Sequence, residues 1–291
     1  RALVQFLEAQ AAAAGNAGAW DQADGAIQRA QALASRHGVK ANQRNRLDML
    51  QSTQDLERGR FGPARDRLLA VVQRVDSGDE KAMHWRLLAL AEWGQGRPAA
   101  AVQAADQARI ALAAQPRGIN ALLAQQVWAQ MASADGRHAE AERGFNEVRQ
   151  GMLSAGLAPD SESLRRLRRV QGEALLRAGR DAQALSALRS LWVELQAVPH
   201  GPREASLLRT ALGCAEMLAG QPSEALAHWQ QVQQEQASRL VPGHPWHARA
   251  AWLVAMADAG GDLPAARLAY LSTLAEDSPL RRGAGDCRAV I

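Results

Sequence analysis

Lysine is almost missing from this chain. It occurs only at Lys40 and Lys81, so nearly all of the 34 basic residues are arginine. Arginine stays charged at any ordinary pH, so chemistry that needs a tuned amine has little to work with. Aromatic residues make up only 4%, and there are two cysteines, Cys214 and Cys287, too few for a disulfide framework in 291 residues. Cys214 lies in an apolar helical stretch and reads as an inert core thiol. Cys287 lies in a polar tail and reads as an exposed thiol that labels quickly. No run of alternating Val, Ile and Thr is present, which argues against strands. No apolar run reaches the length of a membrane span. There is no Gly-rich loop followed by Lys and Ser or Thr, no Gly-x-Ser-x-Gly elbow and no His-Glu-x-x-His. We therefore expect no intrinsic catalysis and no cofactor.

What the chain does have is alanine, about a fifth of all residues, within a composition that is 47% hydrophobic and 22% charged. The formal charge of +4 is too mild an excess to point to nucleic acid. Glycines that break helical patterns recur at Gly18, Gly59, Gly96, Gly136, Gly179, Gly220 and Gly261, spaced 37–43 residues apart. A period of this length is the signature of stacked structural repeats. The fifth residue after each of these glycines is alanine: Ala23, Ala64, Ala101, Ala141, Ala184, Ala225 and Ala266. The physical reading is a helical hairpin whose second helix crosses the first at a position that admits only a methyl group. Pro63, Pro98, Pro222 and Pro264 follow the glycines at the start of the second helix, where a missing N–H does no harm. The expected helix pairs are 2–16 with 19–37, 42–58 with 61–76, 80–95 with 98–114, 118–134 with 137–155, 161–178 with 181–197, 203–219 with 222–240, and 245–259 with 262–276. We expect one repeat domain over 1–278 and a flexible tail over 279–291.

The hairpin Thr210–Val232, with Leu212, Gly213, Gly220, Ala225 and Trp229, resembles a tetratricopeptide repeat (TPR). Gly172, Gly179, Ala184 and Leu188 continue the likeness, as do Trp85, Leu88, Ala89, Gly96, Ala101 and Ala108. The first two hairpins depart from it, with Gln10 and Gln51 where Leu is usual and Asp48 where a large residue is usual. The long period and Gly243–His244–Pro245 resemble the kinesin-light-chain type of repeat. The resemblance implies an all-α, right-handed superhelical solenoid of about seven helix-turn-helix repeats, with the first helix of each hairpin on a concave wall. It also implies a protein-interaction scaffold that holds a peptide or protein segment in the groove. The alternative is a sensor or regulatory domain of a larger bacterial regulator, a kinase or transcription activator, that binds a small effector. The chain opens on Arg1 rather than Met and reads as a fragment or a processed chain, which leaves room for an upstream domain. A cytoplasmic location is expected over an extracytoplasmic one.

Counting back from each turn glycine places Arg46, Met49, Met83, Arg86, Leu90, Gln126, Gln130, Arg166, Arg169 and Glu173 on the inner wall. Leu123, Leu207, Thr210 and Cys214 fall in the same register. Arginine pairs bidentately with carboxylates, and methionine accepts varied apolar groups. The expected partner is therefore an acidic and apolar peptide segment, with no nucleic acid. Inner-wall arginines are expected to lie outside the core, so that charge reversal at Arg86 or Arg169 would leave the fold intact. Trp93 falls where it would flank the groove. His244 and His247, three residues apart, lack a third metal ligand and read as surface histidines at a turn and a helix start.

Overall fold

The structure, a computed structural model, describes residues 2–16, 19–38, 40–76, 78–113, 118–198, 200, 202–278, 281 and 286–290. Five of the turn glycines adopt a left-handed backbone, with φ between 71° and 83°: Gly59, Gly96, Gly136, Gly179 and Gly220. Each closes its helix in the same way. The N–H after the glycine reaches back to the last turn: Arg60 N to Asp55 O at 2.7 Å, Arg97 N to Glu92 O at 2.9 Å, Arg137 N to Ala132 O at 2.8 Å, Arg180 N to Leu175 O at 2.9 Å and Gln221 N to Glu216 O at 2.9 Å. This is the left-handed C-terminal cap that glycine adopts without steric penalty. Gly18 lies outside the described residues. Gly261 is not left-handed; there Asp262 caps the next helix, its Oδ1 accepting from Ala265 N at 3.0 Å.

The result is fourteen α-helices and no strand among the described residues. They pair as α1 (Ala2–Asn16) with α2 (Trp20–His37), α3 (Ala41–Glu57) with α4 (Phe61–Val72), and α5 (Gly78–Gly94) with α6 (Pro98–Ala111). Then come α7 (Ile119–Ala134) with α8 (His138–Ser154) and α9 (Glu162–Arg177) with α10 (Asp181–Gln196). The last pairs are α11 (Pro202–Leu218) with α12 (Pro222–Arg239) and α13 (Pro245–Ala257) with α14 (Leu263–Leu271). Among the described residues one 3-10 turn, Cys287–Val290, follows these helices. The helices match the expected pairs except that α4 and α14 stop several residues early.

Six of the seven register alanines, Ala23 to Ala225, are fully buried; Ala266 is partly exposed. In the sixth hairpin the ring of Trp229 fills the space over Gly213, where an added Cβ would come within 2.5 Å of Nε1. That indole N–H donates to Thr210 O at 3.2 Å, so the bulky residue and the small one fix each other. Replacing Ala184 or Ala225 by Leu should destabilise the protein by about 1–3 kcal/mol through overpacking. Thermal melts unchanged by both substitutions would remove the crossing-point explanation of the repeat.

Periodicity alone does not reveal that the solenoid meets itself. The second and third hairpins touch the sixth and the last across 146–187 residues of chain. Arg203 Nη1 pairs with Glu57 Oε1 at 2.5 Å, and His244 Nε2 donates to Glu57 O at 3.2 Å. Arg97 Nε pairs with Asp277 Oδ1 at 2.8 Å. Ala275 N donates to Gln95 O at 3.1 Å, and Ser278 Oγ to Gly96 O at 2.7 Å. The concave wall is thereby turned from an open trough toward an enclosed space.

The cysteines overturn the expectation set for them. Cys214 and Cys287 form a disulfide, with Cα atoms 5.6 Å apart, and both are fully buried. Arg288 secures the same turn by donating from Nε to Leu176 O at 3.0 Å and from Nη2 to Asp181 Oδ2 at 2.7 Å. Residues 279, 280, 282–285 and 291 of the expected tail lie outside the described residues.

Candidate functional site

A cavity of about 720 Å³ opens on the inner wall. Its lining comes almost wholly from the first helices of hairpins three to seven. Arg86, Leu90 and Trp93 come from α5, and Leu123, Gln126, Val127 and Gln130 from α7. Helix α9 adds Glu162, Arg165, Arg166, Arg169 and Glu173; α11 adds Arg203, Glu204, Leu207, Thr210 and Ala211; α13 adds Trp246 and Arg249. Leu195 and His200 complete it. Arg86, Leu90, Gln126, Gln130, Arg166, Arg169 and Glu173 are thus brought together. Arg46, Met49 and Met83 lie outside this cavity: the Arg46 side chain is largely exposed with Glu8 3.8 Å away, and Met83 is exposed on α5. Cys214 is withdrawn into its disulfide.

Six arginines and three glutamates face this space, and the arginines differ in what holds them. Arg169 is buried between Glu204, whose Oε1 is 3.0 Å from Nε, and Glu173 one turn along α9. It is a core ion pair rather than the free wall residue expected, and charge reversal there would put three acidic groups together. Arg166 pairs with Glu162 at 3.3 Å, and Arg165 donates to Asp160 O. Arg168, from the same cluster, leaves the cavity for a bidentate pair with Glu194 at 2.6 and 2.8 Å. Arg203 is held by Glu57, and the Arg249 guanidinium lies 5.0 Å from the Trp246 ring centre. Arg86 is different. Among the described residues it makes no hydrogen bond or ion pair, its Nε is buried, and burial pulls its pKa below the ordinary arginine value. A cation partly withdrawn from water and lacking a counter-ion leaves room for an anion to pair with it.

Trp93 does flank the cavity. Arg203, Trp246 and Arg249 were not assigned from the sequence. Helix α13 begins after the Gly243–His244–Pro245 break and faces the cavity because the ends of the solenoid meet; no spacing rule carries that.

His244 is a buried seam residue, 3% exposed, rather than the surface histidine expected. Its Nδ1 accepts from Trp246 N at 3.1 Å, capping α13, while Nε2–H donates to Glu57 O. Burial above all, with the nearby positive charges of His247, Arg249 and Arg203, holds its pKa down to about 4, against an opposing contribution from the Glu57 carbonyl. The unfolded ring titrates near 6.5. Between these values the unfolded chain binds the extra proton and the folded one does not. This stability is therefore complete above about pH 6.5 and is lost as pH falls toward 4. Thermal melts across that window should be steeper for the native protein than for His244→Gln; parallel curves would assign the acid sensitivity elsewhere. Among the described residues no group of three His, Cys, Asp or Glu side chains is placed to hold a metal.

By sequence, no family model matches the chain, and no curated protein does. By structure, it is similar to a Rap protein complexed with Competence and Sporulation Factor, at TM-score 0.64 and 11% identity, covering 93% of this chain and 76% of that one. It is also similar to NprR in complex with its cognate peptide NprX, at TM-score 0.61 and 10% identity, covering 96% and 81%. A third similarity is to TPR-like repeats of a putative kinesin light chain from Podospora anserina, at TM-score 0.50 and 20% identity, covering 69% and 98%. At these identities the likeness is one of fold: an all-α, TPR-like helical repeat solenoid. No helix is long and apolar enough, among the described residues, to cross a membrane.

Proposed function

We propose that the chain is a peptide-binding repeat scaffold that takes a short anionic peptide into its inner cavity. The observation that carries this is Arg86, a half-buried cation with no hydrogen bond or ion pair among the described residues, on a wall where arginines outnumber glutamates six to three. Leu90, Trp93, Leu123 and Val127 give the same wall apolar ground, and the amides of Gln126 and Gln130 suit a peptide backbone. Two of the solved structures of similar fold are a Rap protein complexed with Competence and Sporulation Factor and NprR in complex with its cognate peptide, which supports this reading. Closure of the solenoid favours a short ligand over the long extended segment expected from the sequence. It equally favours the second reading, a regulatory domain that senses a small anionic effector. A disulfide persists best in an oxidising compartment, so Cys214–Cys287 favours such a location over the cytoplasm.

The test is calorimetry with synthetic short acidic peptides and their Lys-substituted counterparts. Arg86→Met should weaken binding of the acidic set tenfold or more, about 1.4 kcal/mol. The same substitution should leave the melting temperature of the unliganded protein unchanged or slightly raised, because it removes a half-buried charge that has no ion-pair partner among the described residues. Arg168→Gln, facing Glu194, should bind normally. Equal binding of acidic and basic peptides, or an unaffected Arg86→Met variant, would overturn the proposal. Binding of small dicarboxylates but of no peptide would favour the sensor reading.

A further inference from the structure

A second, smaller cavity of about 170 Å³ lies in the seam where the solenoid meets itself. Its walls are mainly apolar, with Leu56 and Phe61 from the second hairpin, Leu87 from α5, and Tyr270 and Leu274 from the last hairpin; Thr53, Glu57 and Thr273 are polar members of the lining. It adjoins the cationic cavity, since Leu90, Trp93, Arg203, Trp246 and Arg249 line both. Two features decide what fits. An apolar cavity of about 150 Å³ is large enough to accept benzene, so this one matches a single ring or branched aliphatic side chain. Its junction with the larger space is flanked by Arg203, tethered to Glu57, and Arg249, stacked on Trp246. A group entering from the larger cavity therefore comes from a molecule whose remainder sits among arginines.

We propose that the seam cavity is an anchor subsite for one large apolar side chain, of the Phe or Leu class, on the same short anionic peptide that meets Arg86. This rests on the reading above and adds to it a second determinant: acidic groups select the wall, and one apolar side chain selects the seam. Because the walls of the subsite belong to the second, third and last hairpins, an occupied anchor also holds those hairpins together.

Two probes separate the subsite from the wall. The first is a set of short acidic peptides carrying Phe at each position in turn, each paired with its Ala counterpart. The second is neutral N-acetylphenylalaninamide, which reads the seam without needing the arginines. Leu87→Trp fills the seam cavity and does not touch the larger one; Leu56→Phe is the alternative should that variant fail to fold. At one position the Phe peptide should bind at least tenfold more tightly than its Ala partner. Leu87→Trp should abolish that difference while leaving the Ala peptide as before, and should abolish binding of the neutral amide. Acidic peptides that bind equally with Phe or Ala would overturn the anchor and leave the proposed function standing. A neutral amide that binds and is blocked by Leu87→Trp, with no acidic peptide bound, would overturn the anionic-peptide reading and keep the apolar subsite. Binding of neither probe would overturn both.

Discussion

Replacing Arg169 with Leu should lower the unfolding free energy by about 3–5 kcal/mol, the usual consequence of breaking a buried ion pair from one side. The Arg169, Glu173 and Glu204 side chains are 7%, 6% and 13% exposed, and the guanidinium bonds to both carboxylates. Without it, Glu173 keeps Arg177, at 3.9 Å, and the more distant charge of Arg249, while Glu204 loses the cation it faces. The internal control is Arg168→Leu on the same helix. Its bidentate partner Glu194 is largely exposed, so that pair should be worth under about 1 kcal/mol. Urea unfolding of the two variants checks the contrast. A loss at Arg169 no larger than that at Arg168 would mean that the cluster is solvated and that Arg169, like Arg86, is available to a ligand. Adding Glu173→Met to the Arg169→Leu variant should recover part of the loss, because the orphaned carboxylate is removed with its partner.

Arg86 and Arg169 show how far the sequence could be read. One counting rule put both on the inner wall, and both line the cavity. Spacing from a turn glycine reports which face of a helix a residue occupies, since the hairpin is a local unit with a fixed crossing at its alanine. It does not report what stands opposite. Arg169 has Glu173 one turn on and Glu204 on the next inner helix, whereas nothing acidic falls in register with Arg86. The Arg169–Glu173 spacing was visible, but its burial required knowing that hairpin six covers it. The same limit hid the seam. Each hairpin rotates a little on its neighbour, and only the accumulated rotation decides whether Glu57 reaches Arg203 and His244. A small change in rotation per repeat would leave every glycine, alanine and helix boundary as it is, and the groove open. Fold class was therefore legible from local chemistry, while enclosure, and with it the contribution of Trp246 and Arg249, was not.

The disulfide is the other long-range feature, and its removal should have an effect of similar size. The bond spans 73 residues, and releasing a loop of that length from the unfolded chain corresponds to about 4 kcal/mol at 25 °C in the chain-entropy account. Cys287→Ser, or reduction, should therefore lower stability by about 2–4 kcal/mol. The loss should be local before it is global. Stacked repeats couple mainly to their neighbours, so hairpins five to seven, which the bond and the Arg288 contacts tie together, should lose protection first. Hydrogen exchange should show faster opening of α11 to α14 in Cys287→Ser, with α1 and α2 nearly unchanged. Thiol titration provides the direct check: the native protein should show no reactive thiol until it is reduced, and then two. If Cys287 labels at once in the unreduced protein, the 3-10 turn is not tied to α11. The seam contacts of Ala275, Asp277 and Ser278 would then have to hold the last hairpin without that tie. In the native protein they need not do so alone, because the disulfide and the seam fasten the final hairpin to two different parts of the solenoid: one to its neighbour α11, the other to the second and third hairpins.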